Sequence, residues 1–154
     1  MGPMSNVRRI ESMEYLVQDA VTKGAKILTG GKRRGDVGFF WEPTILVDVP
    51  EDAEIMLVEP FGPIVPIIAF DSLEEVISKA NSLPYGLAAY VFTQSEKITE
   101  MLIESLESGG VAVNSAAPVP SDLPYGGFKD SGYGYEGVIE GVEAYLHKKL
   151  VSLA

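Results

Sequence analysis

The chain contains no cysteine among its 154 residues. Without a thiol it can form neither a disulfide bond nor a thiolate metal site, and it carries no cysteine nucleophile. His147 is the only histidine, and no cysteine, serine elbow or metal ligand stands at a recognisable spacing from it. We therefore expect no metal site in this chain and assign no catalytic residue within it.

Positive charge is also scarce, because 12 lysines and arginines stand against 22 aspartates and glutamates, a formal net charge of −10. Such a balance argues against a nucleic-acid partner and against an anionic membrane surface, since both require a basic face. No apolar run approaches the roughly 20 residues of a membrane span. Met1 to Arg9 lacks the apolar core of a signal peptide. By elimination we expect a cytoplasmic protein.

Helical signals occur at three places before the last third of the chain. Apolar residues recur at helical spacing in residues 5–23, and Gly24 stands where a helix C-cap belongs. Ser72-Leu73-Glu74-Glu75 is a capping box, which predicts a helix over residues 72–82. Ser95 begins another, which ends before Gly109-Gly110.

Short apolar runs alternate with these helices and predict strands at residues 25–29, 64–70, 87–93 and 111–114. Strands that alternate with short helices are typical of an α/β fold with right-handed crossovers. Because the runs are apolar throughout, both faces of the sheet should be covered. We therefore predict a mostly parallel sheet with helices on both faces.

The last third of the chain has a different character. A long loop rich in proline and glycine covers residues 114–134, and such loops are usually functional. Gly126-Gly127 and Gly132-x-Gly134 lack the preceding strand and following helix of a phosphate cradle, so we expect these glycines to allow a tight backbone path. A helix is predicted over residues 136–147 and a strand over residues 148–153.

Glu59-Pro60-Phe61-Gly62-Pro63 places a carboxylate and an aromatic ring on one tight turn before an apolar strand. Such a turn can present an acceptor for a pair of sugar hydroxyls beside a flat apolar surface for a heteroaromatic ring. Turns of this composition are common, and the alternative is an ordinary turn with a solvated glutamate and a core phenylalanine.

These motifs occur in an order that resembles the C-terminal portion of the NAD(P)-dependent aldehyde dehydrogenases. The resemblance covers nearly the whole chain and is carried by Gly24-Ala25-Lys26, Glu42-Pro43-Thr44, Glu59-x-Phe61-Gly62-Pro63, Tyr85-Gly86-Leu87-Ala88, Gly110-Val111-x-Val113-Asn114 and the run from Pro124 to Gly137. One such match would be weak, but their order and spacing together are specific.

The resemblance implies a chemistry and a set of site residues. In this family a cysteine thiolate adds to the aldehyde, hydride passes to the nicotinamide of NAD or NADP, and water hydrolyses the thioester. Glu59 matches the carboxylate that bonds the nicotinamide ribose, and Phe61 matches the ring beside the nicotinamide. The loop after Asn114 matches the substrate entrance, which makes Ala117, Val119 and Tyr125 candidates for the wall of the aldehyde pocket.

The resemblance also implies what the chain lacks. The nucleophilic cysteine, the general-base glutamate, the oxyanion asparagine and the glycine-rich cofactor segment lie upstream in the family. Residues 1–146 then correspond to part of a catalytic domain and residues 147–154 to a C-terminal oligomerisation strand. We expect the isolated chain to be inactive. The alternative to a segment of an enzyme is a non-enzymatic fragment that only associates.

The resemblance leaves the partner and the substrate open. The chain is expected either to form a homo-oligomer or to bind a complementary N-terminal polypeptide. Because residues 115–123 contain no basic side chain to anchor a carboxylate, semialdehydes and simple aliphatic aldehydes both remain candidates. Two positions depart from the family pattern: Tyr125 stands where phenylalanine is usual, and Tyr135 stands where arginine is usual.

Overall fold

A computed structural model of the chain describes residues 1–116 and 122–153, which divide into two units, Met1–Phe70 and Asp71–Ala154. The elements of the first unit are α1 (Val7–Thr22), β1 (Lys26–Thr29), β2 (Thr44–Val47), α2 (Glu54–Leu57) and β3 (Ile64–Ile67). Those of the second are α3 (Leu73–Ala80), β4 (Tyr85–Gly86), β5 (Ala88–Val91), α4 (Glu96–Ser105), β6 (Gly110–Val113), β7 (Phe128–Lys129) and α5 (Val138–Glu143).

The first helix confirms the prediction from helical spacing. It begins at Asn6, whose side-chain oxygen accepts a hydrogen bond from the Arg9 N–H, and it is followed by Gly24 at a φ of +117°. Its inner face buries five apolar side chains, which are Ile10, Met13, Leu16, Val17 and Ala20. Since burial of one large aliphatic side chain contributes about 1.5–3 kcal/mol, this face supplies much of the core of the first unit.

A three-stranded sheet lies in the same unit. The strand β2 is central, antiparallel to β1 and parallel to β3. Its first residue, Thr44, is a buried polar side chain whose hydrogen bonds are all satisfied locally. The Thr44 hydroxyl accepts from the Trp41 indole N–H at 3.0 Å and the Gly31 N–H at 2.8 Å, and it donates to the Glu42 carbonyl at 2.8 Å.

The second unit contains two-stranded sheets, β5 parallel to β6 and β4 antiparallel to β7. Its helices α3 and α4 begin at Ser72 and Ser95, whose hydroxyls accept the backbone N–H three residues further on. Glu75 completes the first cap by accepting from the N–H of Asp71, one residue before Ser72. Both predicted helices are thus confirmed, with shorter C-terminal ends.

The fold is mixed α/β, and the prediction of a mostly parallel sheet is not confirmed for the part of the chain that the structure describes. There, three small sheets contain two parallel and two antiparallel pairings. A connection of residues 30–43 without a helix returns the chain alongside β1, and β7 pairs with β4 after β5, α4 and β6 have intervened in the chain. The strands also have an open face, since Val65 and Ile67 of β3 and Tyr90 of β5 are exposed.

A helix and a terminal strand were predicted near the C-terminus, and of these two the structure contains only the helix among its described residues. The helix predicted over residues 136–147 is confined to Val138–Glu143, and Gly137 before it has a φ of +78°. Among the described residues of this single chain, 148–153 form no strand. Their pairing with a neighbouring subunit remains a prediction, and so does helical cover on both sheet faces. None of the helices in residues 1–116 and 122–153 combines the length and hydropathy of a membrane span.

The short helix α2 receives its cap from α1. It follows Ala53, whose methyl group cannot accept a hydrogen bond, and the acceptor for the Glu54 N–H is instead the Asp19 carboxylate at 2.7 Å. Lys23 holds the same region through Asp19 at 3.0 Å and the Asp52 carbonyl at 2.7 Å. The bond from Glu54, and next the ammonium of Lys23, lower the pKa of Asp19. The end of α1 therefore fixes where α2 begins.

We predict that Asp19→Asn reduces the stability of the first unit at neutral pH and flattens its acid dependence. Because the folded-state pKa of Asp19 is lowered from 3.8, its contribution is complete well above that pH and is lost as the pH falls below it. Urea unfolding at pH 7, 5 and 3, followed by the fluorescence of the buried Trp41, should show the difference from wild type shrinking at pH 3. The control Glu11→Gln removes an exposed carboxylate from the same helix and should show no such trend. An equal deficit at all three pH values would contradict the assignment.

Candidate functional site

The Glu59-to-Pro63 segment joins α2 to β3 and is fixed at both ends. On the N-terminal side, the Val58 N–H donates to the Glu54 carbonyl at 2.9 Å. On the C-terminal side, the Thr44 N–H donates to the Pro63 carbonyl at 2.8 Å, and Ile64 is buried in the core. The turn between these anchors leaves the Glu59 carboxylate exposed, as the sequence predicted.

Phe61 has an unusual backbone and an exposed ring. Its φ is +45°, a left-handed conformation that costs an L-residue about 1–2 kcal/mol, and its side chain is 68% exposed. The alternative in which Phe61 is a core residue is therefore wrong. An exposed aromatic ring on strained backbone gains little from burial, and such strain concentrates at functional positions.

The next residue, Gly62, holds this conformation. A Cβ at Gly62 would overlap the sulfur of the fully buried Met13 and lie 3.1 Å from Met4 Cε. The Gly62 carbonyl also accepts from the Ile64 N–H at 2.9 Å. Met13 of α1 therefore packs closely against the backbone directly after the exposed ring, and a side chain at position 62 would have to displace it.

In the second unit, Tyr125 lies in the glycine-rich loop and is half-buried. Its N–H and carbonyl pair with the carbonyl and N–H of Glu136 at 2.9 and 2.7 Å. Its ring lies against Gly110, 3.3 Å from the position that a Cβ would take there. Tyr125 lines a cavity of about 300 Å³ together with Leu87, Tyr133 and Tyr135.

Polar contacts anchor the same loop on its other side. The Lys129 ammonium donates to the carbonyls of Asn81 at 2.8 Å and Leu83 at 3.0 Å, and it pairs with the Glu107 carboxylate. The Ser131 hydroxyl accepts from the Gly86 N–H at 2.9 Å. Sequence reasoning did not identify these anchoring residues, although both lie inside the run from Pro124 to Gly137.

The structure places some of the predicted site residues together, and others lie outside the residues that it describes. Glu59 and Phe61 lie on one turn of the first unit, and Tyr125 lies in the second unit. Ala117 and Val119 lie outside the described residues. In residues 1–116 and 122–153, no group of histidine, aspartate and glutamate side chains is placed to hold a metal ion.

The glycines of the loop make close backbone contacts. A Cβ at Gly126 would overlap the Gly134 carbonyl oxygen, and one at Gly127 would lie 2.5 Å from Ser131 Cβ and 3.0 Å from the Ser131 carbonyl carbon. The tight backbone path predicted for these glycines is thereby confirmed.

The turn can act chemically as an orienting surface. An ionised carboxylate accepts hydrogen bonds from two vicinal hydroxyls, and an exposed phenyl ring packs against a planar heterocycle. Because both groups stand on a turn clamped to the core, they can hold a ligand in one orientation with little loss of their own freedom.

The chain matches known proteins over nearly its whole length. The sequence pattern of the aldehyde dehydrogenase family matches residues 1–151. A 4-(hydroxymethyl)benzenesulfonate dehydrogenase from Comamonas testosteroni is 43% identical over 151 residues, which is 98% of this chain and 31% of that protein. The mitochondrial succinate-semialdehyde dehydrogenase of Rattus norvegicus is 42% identical over 150 residues, 97% of this chain and 29% of the enzyme.

Solved structures give the same result. Lactaldehyde dehydrogenase from Escherichia coli superposes with a TM-score of 0.95 at 36% identity, covering 99% of this chain and 32% of that one. A 3,6-anhydro-L-galactose dehydrogenase in complex with NAP gives a TM-score of 0.92 at 43% identity, covering 97% and 32%. The chain thus spans about 30% of the length of the relatives that it matches.

We predict that strain at Phe61 is measurable by comparing two glycine substitutions. Phe61→Gly and Phe70→Gly each delete an exposed phenyl ring and add the same backbone entropy, but Phe70, at 51% exposure, has no positive φ. Only the first variant sheds left-handed strain, so its free energy of unfolding should exceed that of Phe70→Gly by about 1–2 kcal/mol. Urea unfolding followed by Trp41 fluorescence measures both. Equal stabilities would contradict the strained conformation.

Proposed function

The chain belongs to the aldehyde dehydrogenase family, and we propose that it supplies the C-terminal part of the catalytic domain of an enzyme that oxidises an aldehyde to a carboxylic acid with NAD or NADP. The single observation that carries this proposal is the clamped turn that presents Glu59 and Phe61 to solvent. Neither side chain is needed there for the core, and together they match a cofactor contact.

In this proposal the turn orients the cofactor. The Glu59 carboxylate accepts hydrogen bonds from the ribose next to the nicotinamide, and the Phe61 ring packs beside the nicotinamide itself. The chemistry that a bound nicotinamide supplies is acceptance of a hydride. The contribution of this chain is orientation, and displacement of a reacting group by about 1 Å can cost a factor of roughly 100 in rate.

The choice between the two cofactors stays open in the proposal. One similar solved structure is described as a complex with NAP and another, from Bacillus cereus, as an NAD+ complex. The Bacillus cereus structure has a TM-score of 0.89 and 36% identity to this chain. Both cofactors contain the ribose and nicotinamide that the turn would contact, so Glu59 and Phe61 serve either one.

The covalent part of the reaction requires residues that this chain does not contain. Its sequence has no cysteine, so the thiolate that attacks the aldehyde comes from elsewhere in the complete enzyme. We therefore propose that the isolated chain is inactive and that a complementary N-terminal polypeptide supplies the nucleophile and the cofactor domain. This chain spans about 30% of the length of the relatives that it matches.

The substrate side of the proposal rests on Tyr125. In the proposal Tyr125 forms part of the wall of the aldehyde pocket; the other two candidates for that wall, Ala117 and Val119, lie outside the described residues. Relatives are described as acting on 4-(hydroxymethyl)benzenesulfonate and on succinate semialdehyde. For this chain we propose an aldehyde substrate and leave its side chain open.

A non-enzymatic associating fragment is the second candidate function. The observation that favours it is the C-terminal segment, where Leu150 is 95% exposed and Leu146, Val151 and Leu153 are also exposed. Side chains of this kind gain free energy by burial against a partner. In the proposed assembly, residues 148–153 add a strand to a second copy of the chain, which gives a homo-oligomer.

We predict that aldehyde-dependent reduction of NAD or NADP requires mixing. The purified chain alone should show no activity, and addition of the polypeptide encoded immediately upstream should restore it in proportion to the limiting partner. Sedimentation of the mixture should show a complex containing both chains. A complex without activity would leave association as the only function.

Matched variants test the cofactor contacts in that mixture. Glu59→Gln should lower kcat/KM about tenfold, because one charge-assisted hydrogen bond contributes roughly 1.5 kcal/mol or more. Phe61→Ala should lower it similarly, whereas Phe70→Ala, which removes another exposed ring of the first unit, should leave it within about twofold. Full activity in both site variants would show that the cofactor does not contact this turn.

A further inference from the structure

Tyr135 packs closely against Gly126 although about half of its surface is exposed. Its ring is 52% exposed, yet one edge lies directly over Gly126. A Cβ at Gly126 would overlap the Gly134 carbonyl oxygen and would lie 2.7 Å from Tyr135 Cδ1 and 3.1 Å from Cε1. The Gly134 carbonyl and the Tyr135 ring together occupy the space where any other residue at position 126 would carry its side chain.

Gly126 is held from a second direction. Its carbonyl oxygen contacts Gly109, where a Cβ would overlap it. Gly109 in turn is tied to β4, because its N–H donates to the Gly86 carbonyl at 3.0 Å. With Gly109 against its carbonyl and the Tyr135 ring over its α-carbon, Gly126 has little room to move.

The position of Gly126 determines that of Tyr125, the preceding residue. Tyr125 pairs through its backbone with Glu136, the residue after Tyr135. The segments 125–126 and 135–136 are thus joined twice, once by these hydrogen bonds and once by the ring of Tyr135. The Tyr125 ring projects from this backbone segment. It lies against Gly110 and lines the cavity of about 300 Å³.

We propose that Tyr135 is a positioning residue for the pocket wall: its ring clamps Gly126 and thereby fixes the Tyr125 ring against Gly110. The inference rests on the proposed function in one respect, namely that Tyr125 faces the aldehyde. A planar ring with two side-chain torsions holds this contact with less loss of freedom than a long flexible side chain. Position 135 therefore controls, through Tyr125, how well defined the substrate wall is.

The test uses the chain alone, labelled with 3-fluorotyrosine and observed by fluorine NMR. Tyr125 is assigned by the resonance lost in Tyr125→Phe. In Tyr135→Ala this resonance should shift toward that of free 3-fluorotyrosine, because the ring leaves Gly110. In Tyr135→Phe, which keeps the ring, and in Tyr145→Ala, which removes an exposed ring elsewhere in the second unit, it should stay in place.

The resonance of Tyr90 in β5 reports whether the second unit remains folded. A Tyr125 resonance unmoved by Tyr135→Ala overturns the proposal, and so does one displaced equally by Tyr135→Phe. If Tyr135→Ala unfolds the second unit, the proposal is tested on the wild-type chain instead. Nuclear Overhauser effects from the Tyr135 ring to the Gly126 α-protons, and from the Tyr125 ring to those of Gly110, are then expected, and their absence overturns the proposal.

The active mixture provides a second readout. Tyr135→Ala should raise KM for the aldehyde at least fivefold and change kcat less than twofold, with Tyr135→Phe restoring the wild-type KM. Because the spectroscopic measurement needs no activity, failure of the mixture to oxidise aldehydes would count against the proposed function alone. A displaced ring with an unchanged KM would show that Tyr125 does not face the substrate and would overturn the role of Tyr135 in substrate binding.

Discussion

Close backbone contact at glycine is the constraint on which both candidate sites depend. Phe61 precedes Gly62, which lies against Met13, and Tyr125 precedes Gly126, which lies against Gly109. In each case a methyl group on the glycine would displace a close neighbour, Met13 at Gly62 and the Gly134 carbonyl at Gly126, so the backbone beside the aromatic residue is held by packing. The ring can then be exposed and still be well placed. In each unit, packing at the following glycine holds an aromatic residue, Phe61 or Tyr125, to which the family resemblance assigns a site role.

In the first unit, α1 is the element that carries this constraint to the turn. Its buried face supplies Met13 beneath Gly62, and its C-terminal end supplies Asp19 as the cap of α2. The carboxylate substitutes for the capping side chain that Ala53 lacks. One helix therefore fixes both the start of α2 and the turn after it. The left-handed conformation of Phe61 is maintained by this surrounding structure.

Sequence patterns predicted the structural features that depend on residues close together in the chain. They missed the features that depend on residues far apart in the chain. The buried face of α1 and the serine caps of α3 and α4 were predictable, because spacing and capping are local. The direction of β1 and β7 was not, since pairing joins residues far apart in the chain. The cap from Asp19 is also non-local, although Ala53 at a helix start signals that an acceptor must come from elsewhere. The roles of Glu59, Phe61 and Tyr125 came from family resemblance; their accessibility and anchoring came from the structure.

The central claim is that the turn from Glu59 to Pro63 forms part of a nicotinamide-cofactor site in a complete enzyme. Amide hydrogen exchange of the chain assembled with its upstream polypeptide, with and without NAD or NADP, tests it most directly. Exchange of the Glu59, Phe61 and Gly62 amides should slow when the cofactor binds, while exchange of the exposed β1 amides in the same unit stays unchanged. If the cofactor binds the assembly and exchange in the turn does not change, the account of the site is contradicted.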